Sequence, residues 1–93
     1  MWIQILNHDL RFRAASLKAY RPRLDSIGPQ RNCIRFIFQG SYEMLRYDNA
    51  VTRDEVLESL DYFYGFSSEK PDNDHVVVCK TDYKLKDEEQ LPF

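Results

Sequence analysis

Apolar residues recur with a period of two on both sides of a short turn at Gln39-Gly40. Residues 33–38 precede this turn and residues 41–47 follow it, and each segment carries apolar side chains on both of its faces. A period of two is typical of β-strands, and a short connection containing glycine joins antiparallel neighbours. The pattern predicts a central hairpin in the interior of a sheet.

Three further segments have the pattern of strands. Residues 2–6 form a short apolar run, and residues 10–14 alternate apolar and charged positions after a turn-like break at 7–9. These two segments predict an N-terminal hairpin whose second strand turns its arginines to solvent. Residues 75–81 include three consecutive valines, which predict a final strand buried on both faces in its middle.

A helical pattern follows the central hairpin. Thr52 stands three residues before Glu55, the spacing of a capping box, so we predict a helix that begins at Thr52 with acidic residues in its first turn. Gly65 suits the left-handed position that follows many helix ends. The apolar positions fall within an arc of about 120°. This predicted buried face consists of Val56, Leu57, Leu60, Phe63 and Tyr64.

The order of these elements predicts an α+β fold. We expect a mainly antiparallel sheet of about four to five strands, made of two hairpins and a C-terminal strand, with one amphipathic helix packed on one face. Residues 15–20 fit either a strand or a helical turn, and residues 21–32 predict a long basic connection. We assign residues 1–81 to a single domain and residues 82–93 to a polar, mostly acidic tail.

Composition agrees with one small globular domain. The chain has 93 residues, of which 43% are hydrophobic, and no apolar run approaches the length of a membrane span. The N-terminus lacks the basic region of a secretory signal, so we expect a cytoplasmic protein. Cys33 and Cys79 lie in apolar stretches and are expected to be buried free thiols, although two cysteines also permit one disulfide.

Charge is distributed unevenly along the chain. Residues 1–47 hold eight basic and three acidic residues, a formal charge of +5, whereas residues 48–93 hold five basic and twelve acidic residues, a charge of -7. This asymmetry indicates a binding protein with a polarised surface, unless the two halves simply neutralise each other in the fold.

Our first functional hypothesis is recognition of a protein partner through the acidic helix face and tail. A tyrosine among carboxylates suits a basic partner, and the same pattern is compatible with an inhibitor that imitates nucleic acid. Pairing of basic and acidic halves between copies would instead give a homo-oligomer. The predicted contact residues are Asp54, Glu55, Glu58, Asp61 and Tyr62.

The alternative hypothesis is nucleic-acid binding through the arginine-rich segment 11–35. Arginine contacts phosphate and stacks on bases, and Phe12, Tyr20 and Phe36 are interleaved with the arginines or follow them directly. The candidate residues are Arg11, Arg13, Arg21, Arg23, Arg31 and Arg35.

Catalytic chemistry has little support in the sequence. The histidines and cysteines lack the spacing of a zinc site, and no nucleophile motif or glycine-rich phosphate loop occurs. We therefore predict no catalytic residue, metal or cofactor, and a small enzyme with an unrecognised site is the third hypothesis.

Overall fold

The computed structural model describes residues 1–6, 8, 10–24 and 31–79. Within these residues the chain forms six strands, a short 3-10 helix at Ala14–Ser16 and one α-helix, α1, at Ala50–Phe63. The strands are β1 (Trp2–Ile5), β2 (Leu10–Arg13), β3 (Leu17–Leu24), β4 (Asn32–Phe38), β5 (Ser41–Tyr47) and β6 (Val76–Cys79). No helix in this described part of the chain is long and apolar enough to span a membrane.

The strands divide into two antiparallel sheets, which corrects the predicted single sheet. The first sheet has the order β2-β1-β6 and the second has the order β3-β4-β5. Both predicted hairpins are present, and the α+β class is confirmed. The single sheet was wrong because the 3-10 helix separates β2 from β3, and because β6 returns to the edge of β1.

The predicted connection 21–32 begins later than expected. Residues Arg21–Leu24 continue β3 and pair with β4, so that Pro22 lies opposite Ile34. Proline is acceptable there because β3 is an edge strand, whose outward N–H groups need no partner. Residues 25–30 lie outside the described residues, as do the end of the predicted last strand at 80–81 and the predicted tail at 82–93.

A single apolar core joins the two sheets and the helix. The Phe12 ring on the first sheet lies 5.9 Å from the Phe36 ring and 5.4 Å from the Phe38 ring on the second sheet. The buried core consists of Ile3, Ile5, Phe12, Ile34, Phe36, Leu45, Tyr47, Val56, Leu60 and Val76. The core thus occupies the inner face of each sheet, and the outer faces are directed away from it.

The helix begins earlier than predicted. The side-chain oxygen of Asn49 accepts a hydrogen bond of 2.8 Å from the backbone N–H of Thr52, so Asn49 is the N-cap and Thr52 lies inside the helix. The predicted capping box and acidic first turn are therefore wrong. At the other end Gly65 has φ +83°, and the N–H of Phe66 donates to the Asp61 carbonyl at 2.7 Å. This Schellman arrangement confirms the predicted role of Gly65.

The buried face of α1 differs from the predicted arc at two positions. Val56 and Leu60 are buried as expected, but Phe63 is 37% exposed. Ser59 is buried instead, and its hydroxyl is satisfied there by donating a hydrogen bond of 2.9 Å to the side-chain oxygen of Asn73. The helix contacts β4, β5 and β6, so it packs against both sheets rather than on one face of one sheet.

Strand β6 is an edge strand with one open face. Val76 is buried, whereas Val77 is 38% exposed. The prediction of burial on both faces was wrong because, among the described strands, β6 pairs only with β1 and lies at the edge of its sheet. Cys33 and Cys79 are both free thiols, and of the two only Cys33 is fully buried.

Candidate functional site

The outer face of the second sheet carries a cluster of arginines. Arg21 lies directly opposite Arg35, while Cys33 lies opposite both Arg23 and Arg46. Residues directly opposite each other in antiparallel strands project to the same side of the sheet. We name this surface the basic sheet face, and its residues are Ala19, Arg21, Arg23, Cys33, Arg35, Ile37, Tyr42, Met44 and Arg46. None of these residues is acidic.

The basic sheet face combines exposed guanidinium groups with an exposed aromatic ring. Arg21, Arg23 and Arg46 are exposed. The guanidinium carbon of Arg35 lies 4.3 Å from the ring centroid of Tyr42, and Tyr42 itself is 56% exposed. This geometry is a cation–π contact. It leaves part of the tyrosine ring accessible to solvent beside the arginine.

Three arginines of this face have no carboxylate partner within the part of the chain that the structure describes. Among the described residues, Arg21, Arg23 and Arg35 form no ion pair with an acidic side chain. The Nε atom of Arg35 is also buried without a hydrogen-bond partner there. Like charges placed directly opposite each other destabilise a sheet, and Arg21 and Arg35 are such a pair. The cluster therefore favours binding of an anion from solution.

Arg46 is the arginine of this face that sequence reasoning missed. Its Nη1 atom donates to the sulfur of Cys33 at 3.7 Å, and the Cys33 thiol donates to the Arg31 carbonyl at 3.4 Å. Cys33 is fully covered by its surroundings. The signal was present in the sequence, since strand alternation places Arg46 on the same side as Tyr42 and Met44.

The structure separates the six arginines that the sequence grouped together. Arg21, Arg23 and Arg35 lie on the basic sheet face, and Arg31 is exposed just before β4. Arg11 and Arg13 instead lie on the outer face of the first sheet, away from the basic sheet face.

These two arginines contact residues of their own sheet. The guanidinium carbon of Arg13 lies 5.4 Å from the centroid of the Trp2 ring, and Arg11 donates to the Cys79 sulfur at 3.3 Å. The arginine-rich segment is therefore not one continuous surface.

The aromatic residues interleaved with the arginines do not form a stacking surface. Phe12 and Phe36 are buried in the core, and Tyr20 is half-buried and packs against the core. Alternation along each strand turns them to the side opposite the arginines. The exposed ring on the basic sheet face is Tyr42, which lies outside the predicted segment 11–35.

The acidic helix residues are only partly available to a partner. Asp54 pairs with Arg53 at 2.9 Å, and a Glu55 carboxylate oxygen lies 3.3 Å from Nε2 of His75. Asp61 accepts a hydrogen bond of 2.7 Å from the Tyr20 hydroxyl. The two remaining predicted contact residues are Glu58, which is exposed, and Tyr62, which is half-buried with its ring 5.5 Å from that of Phe63.

No metal-binding group of three or more His, Cys, Asp or Glu residues occurs in the part of the chain that the structure describes.

Comparison with protein families, with curated proteins and with solved structures finds no match to this chain.

Proposed function

We propose that the protein binds single-stranded nucleic acid on the basic sheet face. The observation that carries this proposal is the presence of Arg21, Arg23, Arg35 and Arg46 on one outward sheet face without an acidic residue. Guanidinium groups contact phosphate oxygens in two parallel hydrogen bonds, and they stack on bases. The negative phosphate backbone supplies the counter-charge that the described carboxylates do not give to Arg21, Arg23 and Arg35.

The position of Tyr42 supports a single strand rather than a duplex. Its ring is 56% exposed and lies beside the Arg35 guanidinium, so an unpaired base has an aromatic surface on which to stack. Exposed aromatic rings on a sheet are a known means of binding single strands, whereas duplex recognition uses an element that enters a groove. The formal net charge of -2 is compatible with this function because binding depends on the local cluster.

The test is fluorescence anisotropy with a labelled single-stranded oligonucleotide and with its duplex. We expect the single strand to bind more tightly, and we expect Tyr42→Ala to cost about 1–3 kcal/mol of binding free energy. Tyr42→Phe keeps the ring and serves as the matched control, with affinity close to that of the wild type. Absence of binding at low salt, or equal affinity of Tyr42→Ala and Tyr42→Phe, would contradict the proposal.

A further inference from the structure

A second candidate site lies between β3 and the C-terminal end of α1. It is a hollow of about 510 Å³, and three of its lining residues are aromatic. Tyr20 comes from β3, Tyr64 is the C-cap of the helix and Phe66 follows the helix end. Asp61 and Lys18 supply the charged side chains of the lining. The basic sheet face and this hollow share no charged residue.

Hydrogen bonds hold two of the aromatic rings in place. The Tyr20 hydroxyl donates to Asp61 at 2.7 Å, and the Tyr64 hydroxyl donates to the Ala14 carbonyl at 2.8 Å. The centroids of these two rings lie 5.8 Å apart. Phe66 also lines the hollow and is 76% exposed, which is unusual for phenylalanine. Aromatic rings attract a cation that lies over their faces.

The electrostatics of the hollow also favour a cation. Asp61 brings a carboxylate, and the C-terminal end of a helix carries a partial negative charge. The last turn of α1 contains no basic residue that would neutralise this charge. Burial, with the hydrogen bond to Asp61, raises the pKa of Tyr20 above its usual range, and burial raises the pKa of Tyr64 to about 12. Both tyrosines therefore stay neutral, and Lys18 is the one competing cation of the lining.

Acidic residues continue beyond this hollow. A second hollow of about 370 Å³ also contains Asp61 in its lining, so the two are adjacent. Its other charged residues are three acidic ones, Glu58, Glu69 and Asp72, and one basic one, Lys70. A single small cation at Asp61 would not neutralise these three carboxylates. A polypeptide with several basic side chains can place positive charge in both hollows. Charge complementarity thus favours a basic polypeptide as the occupant.

We propose that the hollow at Asp61 binds the ammonium group of a lysine side chain from a basic polypeptide. Neighbouring basic side chains of that polypeptide lie against Glu58, Glu69 and Asp72. The site is independent of nucleic-acid binding, and either proposal can fail alone.

The test is a nuclear magnetic resonance titration of the 15N-labelled protein with a lysine-rich peptide. The matched peptide carries norleucine at every lysine position and so keeps the alkyl chain without the charge. Tetramethylammonium chloride is the third ligand. We expect the lysine peptide to shift the amide signals of Asp61, Tyr64 and Phe66, and we expect the norleucine peptide to shift none of them.

Four variants complete the test. We expect Asp61→Asn to lower the affinity for the lysine peptide at least tenfold. We expect Phe66→Leu to lower the same affinity severalfold. Phe63→Leu is the matched aromatic control outside the hollow and should bind as the wild type does. Lys18→Met removes the competing cation at an exposed position and should tighten binding. This last variant gives a result even if Asp61→Asn does not fold.

Three outcomes would overturn the proposal. Equal binding of the lysine and norleucine peptides would show an apolar hollow without selectivity for charge. Unchanged affinity in both Asp61→Asn and Lys18→Met would exclude an electrostatic site. Signal shifts with tetramethylammonium but not with the lysine peptide would assign the hollow to a small free cation instead.

Discussion

Replacing Arg21 and Arg23 together by glutamine gives the sharpest test of the basic sheet face. Both residues lie on β3, an edge strand, and both side chains are exposed. Neither forms an ion pair within the described residues, and glutamine keeps much of the side-chain length. We therefore expect the double variant to fold as the wild type does, with only its binding of nucleic acid changed.

The expected effect follows from the number of arginines that meet phosphates. Each phosphate contact to a single strand contributes about -0.7 to the slope of log K against log salt concentration. With Arg21, Arg23, Arg35 and Arg46 in contact, the slope is about -2.8, and the double variant should reduce it to about -1.4. Between about 50 and 200 mM salt, affinity should then fall about 50-fold for the wild type and about sevenfold for the variant.

The assay is fluorescence anisotropy with one labelled single strand at several salt concentrations. The matched control replaces Arg11 and Arg13 by glutamine, which removes the same charge from the outer face of the first sheet. We expect the control to keep the wild-type slope. Far-ultraviolet circular dichroism and thermal unfolding verify that both variants are folded.

Two results would contradict the assignment of phosphate binding to the basic sheet face. An unchanged slope in the variant of Arg21 and Arg23 would show that these side chains meet no phosphate. An equal loss of slope in the control variant would show that net charge, rather than the basic sheet face, determines binding. The second result would favour the whole segment 11–35, rather than the basic sheet face, as the nucleic-acid-binding surface.

Three further predictions concern stability. Leu60 is fully buried in the core, so Leu60→Ala should destabilise the protein by about 2–5 kcal/mol in urea unfolding. Asn49→Ala should lower the free energy of unfolding by about 0.5–2 kcal/mol because it removes the N-cap. Thr52→Ala keeps the capping acceptor and should lower the free energy of unfolding by less in the same assay. The pKa of Tyr64 is raised by burial from 10.0 to about 12. The folded state therefore favours the neutral phenol, and the stability that this contributes is complete below pH 10.0 and is lost as the pH rises to about 12. Tyr64→Phe should weaken this alkaline dependence, and an unchanged dependence would contradict the assignment.

Local sequence patterns were sufficient to predict those elements that are stabilised by contacts between residues close in sequence. The turn at Gln39-Gly40 fixes the register between β4 and β5, so the alternation of residues 33–38 and 41–47 correctly gave a paired hairpin. Gly65 was identified because a left-handed residue after a helix end strongly favours glycine. The start of the helix was misplaced because Asn49 and Thr52 are both good capping residues, and the chain uses the earlier one.

Both proposed sites depend on contacts between residues that are distant in sequence. Arg21 reaches the basic sheet face only because β3 pairs with β4, although the segment from 21 to 32 has the composition of a loop. Tyr20 and Asp61 line one hollow although they are 41 residues apart. No local pattern specifies such pairs.

The α+β class, the two hairpins, the amphipathic helix and the uneven charge could be predicted from the sequence alone. These properties follow from periodicity, turn residues and composition, which act over a few neighbouring positions. The division of the strands into two sheets became visible in the folded chain. So did the placement of Arg46 beside Arg21 and Arg35, with Arg11 and Arg13 on the other sheet. Sequence patterns do not select strand partners because any two compatible strand edges can satisfy each other's backbone hydrogen bonds. The choice among those edges depends on how the whole core packs.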